Sequence, residues 1–106
     1  MKRLALMVAV PLMLFAGESD TLTVRSSSIQ SNVVLVSGDV AGRKVELECF
    51  LSVADCKVPS NGDYLLLNTP TEESVYQDCR NVSLYERFGG SERGTKVGNY
   101  CLLDKQ

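Results

Sequence analysis

The sequence predicts an all-β domain: a small disulfide-stabilised sandwich or partly open barrel of about six short strands, after an N-terminal signal peptide. Three observations carry this expectation. Short runs of β-branched and aliphatic residues recur between clusters of Gly, Pro, Asn and Ser, and no stretch beyond the leader sustains a 3.6-residue apolar stripe. Residues 43–51 alternate, with Val45, Leu47, Cys49 and Leu51 apolar and Glu46 and Glu48 on the opposite parity. That is the period-two pattern of a strand with one buried face. Finally, four cysteines in a short exported chain favour two disulfides, which a core this small needs.

The leader comes first. Met1-Lys2-Arg3 is a basic start, and Leu4 to Ala16 then runs through 13 residues without a charge. This matches the apolar core of a signal peptide and falls short of the roughly 18–20 residues that a membrane helix needs. Gly17-Glu18-Ser19 is small and polar, so cleavage is expected after Ala16 or Ser19. Residues 1–19 are thus assigned to the signal peptide and 20–106 to a single small β domain, secreted or periplasmic, with no membrane span in the mature chain. No cysteine follows the apolar run, which argues against a lipid anchor.

Along the mature chain, Leu22 and Val24 alternate with Thr21, Thr23 and Arg25, giving a half-exposed strand over 21–26 that Ser26-Ser27-Ser28 ends. Residues 32–37 are apolar on both parities and read as a central strand covered on both faces. Ser37-Gly38-Asp39 and Ala41-Gly42 supply turn residues, so 32–51 is expected to form a hairpin. Cys56 to Asp63 is a turn segment, and Tyr64 to Leu67 a short apolar strand. Thr69 and Glu72 have capping-box spacing with Pro70 at the first helical position. A helix there would be cut short before Cys79, so a loop is expected. Val75–Cys79 and Val82–Tyr85 read as one strand interrupted at Arg80-Asn81, residues 88–96 as a glycine-rich connection, and Gly98–Asp104 as the last strand. Gly62–Asn68 and Gly98–Asp104 echo each other as Gly, Asp or Asn, Tyr, any residue, Leu, Leu, then Asn or Asp. Either a duplication or two strands with the same kind of start would produce this.

Cys49, Cys56, Cys79 and Cys101 allow three pairings. The strand order favours Cys49–Cys56, which would pin a loop to the end of its strand, together with Cys79–Cys101, without excluding the others. Structural zinc prefers close cysteine pairs separated by roughly two to four residues. The gaps here are 6, 22 and 21 residues, and export argues against the metal as well.

The chemistry that is missing narrows the function. There is no histidine, hence no Ser-His or Cys-His nucleophile pair and no imidazole base or ligand. No Cys-x-x-Cys, phosphate loop or zinc-protease motif occurs, and no metal or cofactor is assigned. Without Lys2 and Arg3, nine scattered basic residues face twelve or thirteen acidic ones, which is unlike a nucleic-acid binder. The carboxylate pairs Glu46/Glu48 and Glu72/Glu73 would serve a minimal glycoside-cleaving hydrolase only if two carboxyls faced across a cleft. A solvated face explains them better, and the chain is read as no enzyme. Asn81-Val82-Ser83 fits the N-glycosylation sequon. Phe50, on the polar parity beside Glu46 and Glu48, and Phe88, before Gly89-Gly90, are the candidate contact residues. The reading is therefore a non-catalytic binding or inhibitor-like module for another protein or a surface polymer, using Phe50 and the 87–97 connection. A structural accessory of the cell envelope without a discrete ligand site is the alternative. The oligomeric state is left open.

Overall fold

The computed structural model describes residues 19–87 and 93–104. Its strands are β1 (Ser19–Gln30), β2 (Val33–Val40), β3 (Arg43–Phe50), β4 (Gly62–Asn68), β5 (Arg80–Arg87) and β6 (Arg93–Asp104). All pairings are antiparallel, in the order β1-β2-β3-β6-β5-β4, and β1 returns to β4 to close the ring. The all-β class and the strand number are those the sequence predicts, and the ring is fully closed. Closure comes from β1, which pairs with β4 over Ser19–Val24 and with β2 over Leu22–Gln30, with a register shift between Val24 and Ser26. A bulge of this kind bends a strand and raises its twist, which lets a short sheet curl onto itself.

Alternation then fills the barrel. Leu22 and Val24, Val34 and Val36, Val45, Leu47 and Cys49, Tyr64 and Leu66, Val82 and Leu84, and Tyr100 and Leu102 form one buried cluster. Several boundaries differ from the sequence reading. The three serines continue β1, because the bulge absorbs the irregularity. β2 is buried on one face only: Val34 and Val36 are buried, whereas Val33 and Leu35 are half-buried. Gly38 lies within β2, where a Cβ would come within 2.3 Å of the Thr23 carbonyl oxygen. The β2–β3 turn is Ala41-Gly42, with φ of 51° and 82°, the left-handed pair that a tight hairpin requires. β6 starts at Arg93, five residues earlier than expected.

β3 and β4 stand opposite each other in the ring, so residues 51–61 must cross the barrel mouth to join them. That crossing is held at many points. The structure joins Cys49 to Cys56 and Cys79 to Cys101, the pairing that the strand order favoured. Lys57 donates its N–H to the Val97 carbonyl at 3.0 Å. The Tyr100 hydroxyl donates to the Lys57 carbonyl at 2.6 Å, and the Tyr64 hydroxyl to the Ser60 carbonyl at 2.8 Å. Ser27 donates to the Pro59 carbonyl, and Pro59 is buried. The sequence echo has its explanation here: each copy puts a tyrosine inside the barrel with its hydroxyl on a carbonyl of the same crossing segment.

Gly98 is where the segment comes closest to β6. A Cβ there would meet Cys56 Sγ at 2.6 Å, its Cβ at 2.8 Å and its Cα at 2.9 Å. Gly98→Ala is therefore expected to lower stability in urea by about 1–3 kcal/mol, the usual cost of overpacking. An unchanged midpoint would show that the segment has room to move. Burial raises the Tyr100 pKa above that of ordinary tyrosine, with the nearby Tyr76 and Tyr64 phenols adding to the rise. The associated stability is fully present below the unfolded phenol value of about 10 and is lost as pH rises through the folded value. Urea midpoints should fall between about pH 9 and about pH 11, and less steeply in Tyr100→Phe. Equal slopes would mean that other groups govern alkaline unfolding.

Candidate binding groove

β3 and β6 pair over only four positions, Val45–Glu48 against Asp104–Cys101. Continuing that register would bring Cys49 opposite Tyr100 and then Phe50 opposite Asn99. There a third residue intervenes. The Phe50 N–H donates to the Tyr76 hydroxyl at 3.3 Å, and that hydroxyl donates to the Asn99 carbonyl at 3.0 Å. A phenol thus stands where a ladder bond would be, and the strands separate beyond it. Burial raises the Tyr76 pKa, and the hydrogen bond from the Phe50 backbone opposes the rise. The hydroxyl is therefore a neutral donor and acceptor at ordinary pH.

Tyr76 is positioned by Asn81, at the start of β5. Asn81 Oδ1 accepts from the Val75 and Tyr76 N–H groups at 3.2 and 3.0 Å, and Nδ2 donates to the Tyr76 carbonyl at 2.9 Å. One side-chain amide thereby satisfies the backbone that a neighbouring strand would otherwise serve. This is why Val75–Cys79, expected as a strand, is irregular, and why β5 begins at Arg80. It also bears on the sequon, since the Asn81 amide is engaged and Val82 and Ser83 are buried in the folded chain. Thr69, expected in a loop with capping-box spacing, donates instead to the buried Ser83 Oγ at 2.8 Å, which donates to Asn99 Oδ1 at 2.8 Å. A single 3-10 turn, Thr71–Glu73, follows without a side-chain cap.

Beyond the Tyr76 wedge, a groove of about 470 Å³ runs between the crossing segment and β6. Leu51, Val53, Ala54, Val75 and Val97 give it an apolar lining, and Asp55, Lys57 and Lys96 add charge. Val53 is 53% exposed and Val75 45%, values far from those of packed aliphatic side chains. Phe50 sits alongside at 40% exposure, its ring 6.1 Å from that of Tyr76 and tilted by 54°. A larger hollow, about 550 Å³, lies at the β1–β2–β3 surface. Its charged lining includes Arg25 and Asp39, which are already paired with each other, so it offers a ligand less.

Of the residues singled out from sequence, Phe50 is exposed beside the Tyr76 ring but does not itself line this groove, and Phe88 lies outside the described residues. Glu46 and Glu48 are half-buried on β3, and Glu72 and Glu73 are exposed on the 3-10 turn; none of them lines the groove. All four cysteines are in disulfides, and among the described residues no group of three or more His, Cys, Asp or Glu could hold a metal ion. No helix among the described residues is long and apolar enough to cross a membrane. Sequence reasoning missed Val53 and Val75, whereas Lys96 falls within the 87–97 connection that it names and Tyr76 counts there only as one of four tyrosines open to contact. The available signal was Val53, an aliphatic residue between Ser52 and Asp55 in a loop. Compared with protein families, curated proteins and solved structures, the chain has no match.

The wedge yields a direct test. Tyr76→Phe leaves the Phe50 N–H and the Asn99 carbonyl without the hydroxyl, a loss expected to cost about 1–3 kcal/mol. The Phe50 amide should then exchange faster with solvent. An unchanged exchange rate would show that the phenol is not the bond that closes this part of the seam.

Proposed function

We propose that the protein is a non-catalytic binding module that works outside the cytoplasm and engages another protein or a surface polymer at the groove beside the crossing segment. The observation that carries this reading is where apolar surface is left uncovered. Among the described residues, the exposed large hydrophobic ones, Ile29, Phe50, Val53, Val58 and Val75, all belong to the end of the barrel that the segment crosses or the groove next to it. The opposite end presents Arg43, Lys44, Asn68, Glu72 and Glu73 instead. Exposed aliphatic and aromatic residues gathered on one side and rimmed by charge are the usual make-up of a contact surface.

Two disulfides fit an oxidising compartment. The basic, then apolar leader supports secretion or delivery to a periplasm. Cleavage after Ala16 would keep the first rung of the barrel, Ser19 opposite Leu67, whereas cleavage after Ser19 would remove it.

A photo-crosslinking amino acid placed at position 53 or 75 in the native host tests the reading. Discrete adducts are expected from both positions and not from position 44 at the far end. Identical adducts from all three, or none from any, would remove the groove as the binding surface.

A further inference from the structure

We infer that the groove accepts an extended peptide segment, apolar residues alternating with acidic ones, which adds to β6 as a strand. This rests on the binding reading above and names the partner's chemistry. The first observation is an open backbone edge. β6 pairs with β5 along one side, and on the other side β3 covers only Cys101–Asp104. The crossing segment then provides a short imitation of a strand, with Lys57 N–H on the Val97 carbonyl and a single bridge between Cys56 and Gly98. From Arg93 to Lys96 the edge facing away from β5 has no backbone partner among the described residues. Four residues of strand span roughly 13 Å at about 3.3 Å each, enough to seat a short extended segment.

The second observation is charge. The chain is net negative, at −2, yet the groove carries Lys57 and Lys96 against Asp55 alone. None of the three is in an ion pair among the described residues. Lys96 is half-buried, so its charge acts in a less screened setting than a fully exposed one. An acidic side chain would find two unmatched cations there, while the excess of acid elsewhere on the chain disfavours binding it anywhere else.

The third is the lining. Val53 and Val75 present aliphatic surface beside the open edge. A strand displays alternate side chains to opposite faces, so one face meets these valines while its backbone bonds to β6. Strand addition divides the work in this way, with main-chain bonds supplying affinity and side-chain contacts selectivity. A helical ligand would leave the β6 edge groups unbonded.

Selection of random peptides displayed on phage against the intact, oxidised protein tests the proposal, followed by calorimetric titration of the most enriched synthetic peptide. Enriched sequences should alternate apolar and acidic residues. Binding should weaken about tenfold or more with Lys96→Glu and with Val53→Asp, and should be abolished by N-methylation of alternate peptide amides. Val53 is exposed and Lys96 half-buried, and retention of both disulfides and of the far-ultraviolet spectrum checks the fold of both variants. Bound peptide should also slow amide exchange over residues 93–96.

No enrichment, or binding indifferent to Lys96→Glu and to N-methylation, would overturn strand addition. If crosslinks from positions 53 and 75 persisted in that case, the groove would remain a binding surface for a ligand of another shape. If Val53→Asp also had no effect and the crosslinks were absent, both readings would fall. A concentration-dependent dimer protecting residues 93–96 would identify a second copy, not a foreign peptide, as the occupant, and would likewise overturn the proposal.

Discussion

The rest of the structure depends on the need to cross the barrel mouth. In the ring order, β3 and β4 are as far apart as two strands can be, yet they are consecutive in the chain. The intervening residues 51–61 cannot run along a wall; Leu51, Ala54 and Cys56 pack partly against the core and Pro59 is buried. Their backbone groups lie at the edge of a dry core and must be paired, because an unpaired buried polar group costs as much as a lost hydrogen bond. The barrel supplies hydroxyls for this from three strands: Ser27 on β1, Tyr64 on β4 and Tyr100 on β6. Cys49–Cys56 closes a short loop at one end of the crossing, and a loop of that size contributes about 2–3 kcal/mol in the chain-entropy account.

The seam between β3 and β6 is a consequence of that crossing. The segment occupies the space where the two strands would otherwise continue to pair, so the ladder stops after four rungs. Two positions further on, Tyr76 bridges Phe50 and Asn99 from outside, and Asn99 is where the two arrangements meet. Its carbonyl accepts from Tyr76, its side-chain oxygen accepts from Ser83, and Cys56 Sγ lies 3.1 Å from the same carbonyl. That sulfur is disulfide-bonded and has no proton to donate, so the contact is close packing. The second disulfide, Cys79–Cys101, ties the segment bearing Tyr76 to β6 beside the last true rung. The groove exists because these two devices hold the seam apart.

Much of the barrel was legible from period-two patterning. Val45 to Cys49 buried on one face, the strands read at 64–67 and 82–85 (observed as 62–68 and 80–87), and the disulfide framework follow from alternation, short apolar runs and cysteine spacing. What was not legible depended on partners distant in sequence. Gly38 looks like a turn residue until β1 is brought against it, and Val75–Cys79 look like a strand until Asn81 takes the backbone groups that a strand would share. For Phe50, strand parity gave the direction of the side chain but not whether a loop or second sheet would cover it; the structure leaves it exposed. Val53 and Val75 were not, since the loops that bear them have no periodicity to read.

The asymmetry between the two ends of the barrel bears most on function. A small domain has little apolar surface to spare, and each aliphatic side chain left in water forgoes roughly 1.5–3 kcal/mol that burial would supply. This chain is able to finish a barrel end with polar groups, and does so around Arg43, Lys44 and Asn68. At the other end it leaves Ile29, Phe50, Val53 and Val58 exposed and fixes two of them, Val53 and Val58, on a segment held by a disulfide and three hydroxyl contacts. Crossing the mouth requires backbone pairing and a few small residues; it does not require valine at 53 or 58, or phenylalanine at 50. Rigid support beneath uncovered apolar side chains lowers the ordering cost of association. A surface built in that way supports the proposed binding role, in which a partner would cover it.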